Sequence, residues 1–282
     1  MSGPDSMHTL TNAELTVELL DPVADRARFG PRYCTGGYVF QIHDSRHGPL
    51  LTGPTFPHEF NWFDGQGIPD AFNLAPLRDP ASTGTTSLVI GVGTCDLERR
   101  EVLEFCSWET EQVATPGGGA ITYRTEHAFQ GFELTLVRTV TLENRTLHSE
   151  TEIHNHGQRL LPVSWFPHPF YPQPSGDELL RTSLPIEMPD NDGYDLAPNG
   201  FIRRRALAPG HEGHYAALGV RARERATFTQ RHPALGLVTA TTSYAPSFLP
   251  IWGNHETFSF EPFFERTLGA GQSDRWSVSY DF

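Results

Sequence analysis

The sequence predicts an all-β protein of two large antiparallel sheets packed face to face. Three observations carry that expectation. Apolar residues recur with period two over many short runs, and turn residues separate those runs at close spacing. No run of comparable length shows a helical stripe. With 26 glycines, 23 prolines and an aromatic fraction of 11% in 282 residues, the composition suits strands joined by tight turns. A β sandwich of this length folds as one unit, so residues 1–282 are expected to form a single domain.

The elements follow in order. Glu14 to Leu19 alternates with period two and reads as the first strand, although Thr11 and Glu14 could also form a helix capping box. Tyr38 to Ile42 is a second strand, introduced by Gly36 and Gly37. Proline-rich stretches at 49–57 and 69–80 flank the segment NWFDGQGIPDAFN, which reads mostly as loop. Strand character resumes at Thr85 to Val92 and at Glu101 to Thr110, and Gly117-Gly118-Gly119 marks a hairpin turn. In Phe132 to Leu142 one face is Phe132, Leu134, Leu136, Arg138, Val140 and Leu142, which predicts a half-buried antiparallel strand. Glu143-Asn144-Arg145 turns the chain, Leu147, Ser149, Thr151 and Ile153 form the inner face of the return, and Asn155-His156-Gly157 ends it. Leu161, Val163 and Trp165 then lead into His168. The segment from Pro172 to Gly213 reads as a long irregular link. Six further strands are expected at Tyr215 to Val220, Ala226 to Thr229, Gly236 to Thr242, Phe248 to Trp252, Thr257 to Glu261 and Arg275 to Tyr280.

Composition also removes whole classes of function. All 21 basic residues are arginine, and a chain without lysine can form no Schiff base, hold no pyridoxal phosphate and build no P-loop. No cofactor is expected. A net charge of −13, with Arg203-Arg204-Arg205 as the only basic cluster, disfavours nucleic acid as a partner, because phosphate neutralisation dominates that affinity. Those three arginines read as a solvated turn. Cys34, Cys95 and Cys106 show no metal or disulfide spacing and are expected to be reduced thiols. With no signal-like leader and no long apolar run, the chain is expected to be soluble and cytoplasmic, with no membrane partner.

Metal and hydrolase motifs fare poorly. His154 and His156 share a strand face, but no third ligand occurs at motif spacing, and His211-Glu212-Gly213-His214 is not HExxH. No metal site is expected, and no GxSxG elbow supports a serine hydrolase.

Two stretches remain. FELTLVRTVTLENRTLHSETEIHNHGQRLLPVSWFPHPFYP begins at Phe132, and LPIWGNHETFSFEPFFERTLGAGQSDRWSVSYDF begins at Leu249. Both resemble the aldose 1-epimerase (galactose mutarotase-like) family, and the likeness extends from about Phe105 to Phe282. The resemblance implies the β-supersandwich of that family and a small-molecule sugar as the partner. It also implies that Glu261, in SFEPF, is a catalytic base and His168, in FPHPFY, a catalytic acid. Phe258, Phe260, Pro262, Phe263 and Phe264 frame Glu261, and such an apolar frame would raise its pKa, although a strand glutamate can equally face solvent.

The family carries a further histidine and commonly an arginine on an N-terminal loop. Trp62 to Pro69 is the matching region, with Asp64 or Gln66 where histidine is expected and with His58 and Arg78 flanking. Asp64, Gln66 and Arg78 are therefore the expected sugar-hydroxyl partners. A family aspartate between the two catalytic strands has no clear counterpart here: His214 or Tyr215 lies nearest, and Asp192 and Asp195 are in the preceding link. Trp165, Phe170 and Trp252 lie beside the catalytic positions and are expected to floor the sugar ring. The readings left open are a cofactor-free epimerase, a sugar binder of the same fold, and a metal isomerase using His154 and His156.

Overall fold

The structure is a computed structural model and describes residues 7–206 and 212–282. Strands dominate it, and the only helical turn among the described residues is the 3₁₀ segment Arg26–Arg28. One antiparallel sheet of ten strands forms a continuous layer. Its centre runs from Gly118–Phe129 through Phe132–Glu143 and Thr146–Asn155 to Ser273–Asp281, in that spatial order. Glu109–Thr115 closes one edge, and Gly236–Thr242 and Thr227–His232 continue the other.

The facing layer is divided. A four-stranded sheet holds His8–Thr11, Leu15–Leu19 and Val39–Asp44, and a three-stranded sheet orders Phe264–Leu268, Leu161–Pro167 and Asp70–Ala71. A five-stranded sheet holds Tyr171–Pro172, Thr257–Phe260, Leu249–Gly253, His214–Val220 and Ile186–Glu187. Thr86–Val89, Gly93–Asp96 and Glu101–Phe105 make a further small meander. Period two explains how the layers meet, since alternate residues of each strand point inward. Phe228 of the large sheet stacks on Phe260 at 4.7 Å, and Trp276 stacks on Phe264 at 4.1 Å. Paired aromatics of this kind combine large buried area with favourable ring geometry.

The predicted faces are the observed ones. Phe132, Leu134, Leu136, Arg138, Val140 and Leu142 are all buried, as are Leu147, Ser149, Thr151 and Ile153 on the return strand. Arg138 is the informative member, because a guanidinium on an inner face must be paired. Its Nη2 forms an ion pair with Asp70 and donates to Ser149 Oγ at 3.0 Å, while Nη1 donates to Thr151 Oγ1.

The strand read at Glu14 to Leu19 is Leu15–Leu19, which pairs with His8–Thr11 as a hairpin, so no capping box opens a helix there. Three readings change. The expected strand from Glu101 to Thr110 breaks into Glu101–Phe105 and Glu109–Thr115, which join different sheets. The Cys106 amide bonds the Val92 carbonyl and the Trp108 indole donates to Thr35 Oγ1 at 2.8 Å, which turns the chain between them. The link after Pro172 is not irregular: Glu178–Thr182, Tyr194–Leu196 and Ile202–Arg204 extend the edge of the large sheet. Strands this short carry too few residues to show a period. Arg203 and Arg204 accordingly lie on an edge strand, not a turn; Arg203 pairs with Asp195 at 2.8 Å and Arg204 donates to Gln173 at 2.7 Å.

The thiols are free, with Cys34 and Cys95 buried. Among the described residues no helix is long and apolar enough to cross a membrane.

Candidate active site

His168 is positioned by backbone before its side chain is considered. The strand Leu161–Pro167 pairs with Asp70–Ala71 through Phe166 and Pro167, and the two amides that follow continue the docking. His168 N–H donates to the Pro69 carbonyl and Phe170 N–H to the Gly67 carbonyl, each at 2.8 Å. Prolines on both sides of His168 restrict the chain further. Gly67 has φ +80°, and a Cβ there would lie 2.3 Å from the Val39 carbonyl oxygen, so only glycine lets the loop come this close. Behind this clamp stands the buried Asp70–Arg138 ion pair, which ties the loop to the large sheet.

Glu261 arrives from the other direction. It follows the strand Thr257–Phe260, and its N–H donates to the Pro250 carbonyl at 2.9 Å. The two side chains meet: His168 Nε2 lies 3.2 Å from Glu261 Oε1. On the far side of the ring, His168 Nδ1 lies 2.8 Å from the hydroxyl of Ser259, on the same strand that delivers Glu261. Phe170 stacks on the imidazole at 4.2 Å and Tyr33 meets it edge-on at 6.2 Å. Both catalytic candidates are nearly buried, His168 at 3% exposure and Glu261 at 9%.

Burial sets the electrostatics. Desolvation pushes the Glu261 carboxyl up to about 7, against a smaller opposing pull from the Arg32 guanidinium. The same desolvation, reinforced by Arg32, holds the imidazolium of His168 well below its ordinary range. Each group is thus driven toward its neutral form.

Both groups open into one cavity of about 390 Å³. Asp64, Phe170 and Trp252 line it with them, as expected from the sequence. Asp64 is partly committed, since its Oδ2 accepts from Asn61 Nδ2 at 2.7 Å. Gln66, Arg78 and Trp165 do not line this cavity. Gln66 is fully buried, turned inward between Gly65 and Gly67, with its backbone N–H donating to Tyr38 Oη at 3.1 Å. Arg78 donates to the Ser82 carbonyl at 2.8 Å within its own turn. Trp165 points into the core against Tyr244 and Trp276, because the period that buries Leu161 and Val163 buries it too; the next residue, Phe166, faces the cavity instead. The expected alternatives for the loop histidine fare no better: His58 is exposed and is not among the cavity-lining residues.

The arginine of the site is Arg32. It lines the cavity, donates to the Phe63 carbonyl at 2.5 Å, and makes no ion pair among the described residues. Nothing in the sequence singles it out, since it lies far along the chain from both His168 and Glu261. Asn73 and Phe63 also line the cavity unforeseen, and Tyr215, one of two residues nearest the family aspartate, joins them. The Oδ1 of Asn73 is itself buried and has no hydrogen-bond partner among the described residues.

His154 and His156 stack at 4.1 Å on the large sheet, and His156 Nε2 lies 2.7 Å from Thr135 Oγ1. Among the described residues no group of three or more His, Cys, Asp or Glu side chains is placed to hold a metal ion. His211 lies outside the described residues.

No protein-family model and no curated protein matches this sequence. Solved structures do. A galactose mutarotase related enzyme from Lactobacillus acidophilus superposes with a TM-score of 0.64 at 12% identity, covering 98% of this chain and 96% of that one. An aldose epimerase homologue from C. elegans gives 0.54 at 13% identity, with 99% and 98% covered. Galactose 1-epimerase from Lactobacillus acidophilus NCFM gives 0.53 at 12% identity, with 100% and 96% covered. The chain therefore has the galactose mutarotase-like fold, over essentially its whole length.

Proposed function

We propose that this chain is an aldose 1-epimerase-like isomerase, interconverting the α and β anomers of a free sugar by ring opening. The observation that carries the reading is the 3.2 Å contact between His168 Nε2 and Glu261 Oε1 inside a single cavity. Ring opening needs a proton removed from the C1 hydroxyl and a proton delivered to the ring oxygen while the C1–O5 bond breaks. Both oxygens are bonded to C1, so acid and base must stand side by side.

The proton count closes within the pair. With Glu261 neutral and His168 neutral, the carboxyl protonates O5 and the imidazole takes the O1 proton. The aldehyde forms, leaving carboxylate and imidazolium. Rotation about C1–C2 presents the other face of the carbonyl, and closure runs both transfers backward. In the direction expected from the sequence, the two oxygens are exchanged: with the pair as carboxylate and imidazolium, Glu261 takes the O1 proton and His168 protonates O5, and the pair again carries one proton. Arg32 favours the carboxylate that forms mid-cycle, and Ser259 holds the imidazole through Nδ1. Asp64 supplies hydroxyl contacts, and Phe170 and Trp252 present ring faces to the sugar.

A binding-only reading rests on the loop at Trp62 to Pro69, which carries no histidine. Polarimetry separates the two. Dissolving fresh α-glucose or α-galactose with the protein is expected to shorten the relaxation to equilibrium, unchanged by a chelator, and Glu261→Gln is expected to remove the acceleration. Binding of the sugar without acceleration would select the binding-only reading.

A further inference from the structure

Arg32 is held in place and left uncommitted. Its guanidinium carbon lies 4.9 Å from the centre of the Tyr33 ring and 4.8 Å from that of Phe63, and Nη1 donates to the Phe63 carbonyl at 2.5 Å. Nε and Nη2 carry parallel N–H groups along one edge of the guanidinium, and that edge donates to no described residue. Arg32 lines the catalytic cavity, and His168 meets the same Tyr33 ring edge-on at 6.2 Å, so one ring borders both the cation and the imidazole.

No carboxylate of the described residues claims that edge. Asp64 and Glu261 are the acids of the cavity wall. Asp64 turns Oδ2 to Asn61, and Glu261, pushed up to about 7 by burial, is largely protonated in mildly acidic solution. A second guanidinium, that of the exposed Arg100, lies 5.1 Å from the Phe63 ring and also makes no ion pair among the described residues. Two uncompensated cations thus share one ring at the cavity, in a chain of net charge −13. A half-buried guanidinium with a free edge gains most from an anion that the ligand brings.

We propose that the sugar bound here is a hexuronate, a hexose whose C6 is a carboxylate, and that the free edge of Arg32 binds that carboxylate. This rests on the epimerase reading. A carboxylate offers two coplanar oxygens, the arrangement that a guanidinium edge takes in a bidentate pair. Its carbon is bonded to C5, and C5 to the ring oxygen, so the group that holds it must stand close to the pair that moves a proton at O5. Arg32 meets that demand from the same cavity wall. A cavity of about 390 Å³ is near the small end of those that hold an ordinary ligand, and a carboxylate in place of a hydroxymethyl group adds almost no volume, whereas a phosphate ester does. Ring opening at C1 and O5 leaves the carboxylate untouched.

The test compares wild type with Arg32→Gln. Anomerisation is followed for freshly dissolved glucuronate and galacturonate, for their neutral counterparts glucose and galactose, and for glucose 6-phosphate. At least one uronate is expected to exceed its neutral hexose in kcat/KM by about tenfold, and Arg32→Gln is expected to bring that ratio close to one. A ratio near one for both uronates, a ratio that the substitution does not lower, or a preference for glucose 6-phosphate over both uronates overturns the proposal and leaves the epimerase reading standing. If wild type accelerates no sugar, the epimerase reading fails, and calorimetry decides the ligand class: uronates bound no tighter than hexoses overturn it. If Arg32→Gln alone loses all turnover, calorimetry on both proteins is expected to show a larger loss of affinity for the uronate than for the hexose, and equal losses overturn the assignment.

Discussion

At the scale of single residues, burial decides what His168 and Glu261 can do. Glu261 gives up its proton near pH 7 and not in the ordinary carboxylate range near 4.5, because its charge would sit among phenylalanines. The second proton, on His168, is added only well below pH 6.5. Between those limits the pair holds one proton, the state that the ring-opening cycle uses in either direction. The expected pH profile of kcat/KM is therefore flat through mildly acidic pH and falls as pH rises through about 7, after subtraction of the buffer rate. A rate that climbs through pH 7 would mean that the unprotonated pair is the active form. The family resemblance singled out both positions, and the structure brings their side chains to 3.2 Å. The sequence could not place Arg32, whose nearest partner is a loop carbonyl, and it misjudged Trp165 for a physical reason. Closeness in sequence to His168 does not survive the two-residue alternation of a strand, which turns Trp165 to the core and Phe166 to the cavity.

At the scale of elements, the unusual device is Arg138 on the inner face of the strand Phe132–Glu143. Its guanidinium reaches Asp70, and Asp70 opens the two-residue strand that pairs with Phe166 and Pro167, immediately before His168. The large sheet thus holds His168 through one ion pair and one short ladder. Arg138→Met is expected to cost about 3–5 kcal/mol in urea unfolding, because it leaves the Asp70 carboxylate buried without its partner. Adding Asp70→Asn to that variant is expected to restore much of the loss. If Arg138→Met leaves the urea midpoint unchanged, the ion pair does not support the loop. The central strands were legible because ten or more residues display a period. The edge strands after Pro172 were not, since three residues such as Ile202-Arg203-Arg204 carry no pattern, and their pairing is set by tertiary partners such as Asp195.

At the scale of the whole molecule, the all-β class and the two-layer plan followed from alternation and turn spacing, while the division of the second layer into short sheets did not. That division depends on loops crossing between sheets, which leave no periodic trace. The same crossings assemble the site: Arg32, Asp64 and Asn73 come from the N-terminal loops, His168 from one small sheet and Glu261 from another. Identities of 12–13% to solved mutarotase-like structures fit this picture, because the layer plan constrains apolar pattern more than residue identity.

The central claim is that His168 and Glu261 act as one proton-sharing unit. The most direct test is a double-mutant cycle on anomerisation, read by exchange between the α and β proton resonances of the sugar at equilibrium. Glu261→Gln and His168→Asn are each expected to lose roughly 10²–10⁴-fold, and the double variant is expected to lose no more than the worse single one. Losses that multiply, or a single variant that keeps wild-type exchange, would contradict it.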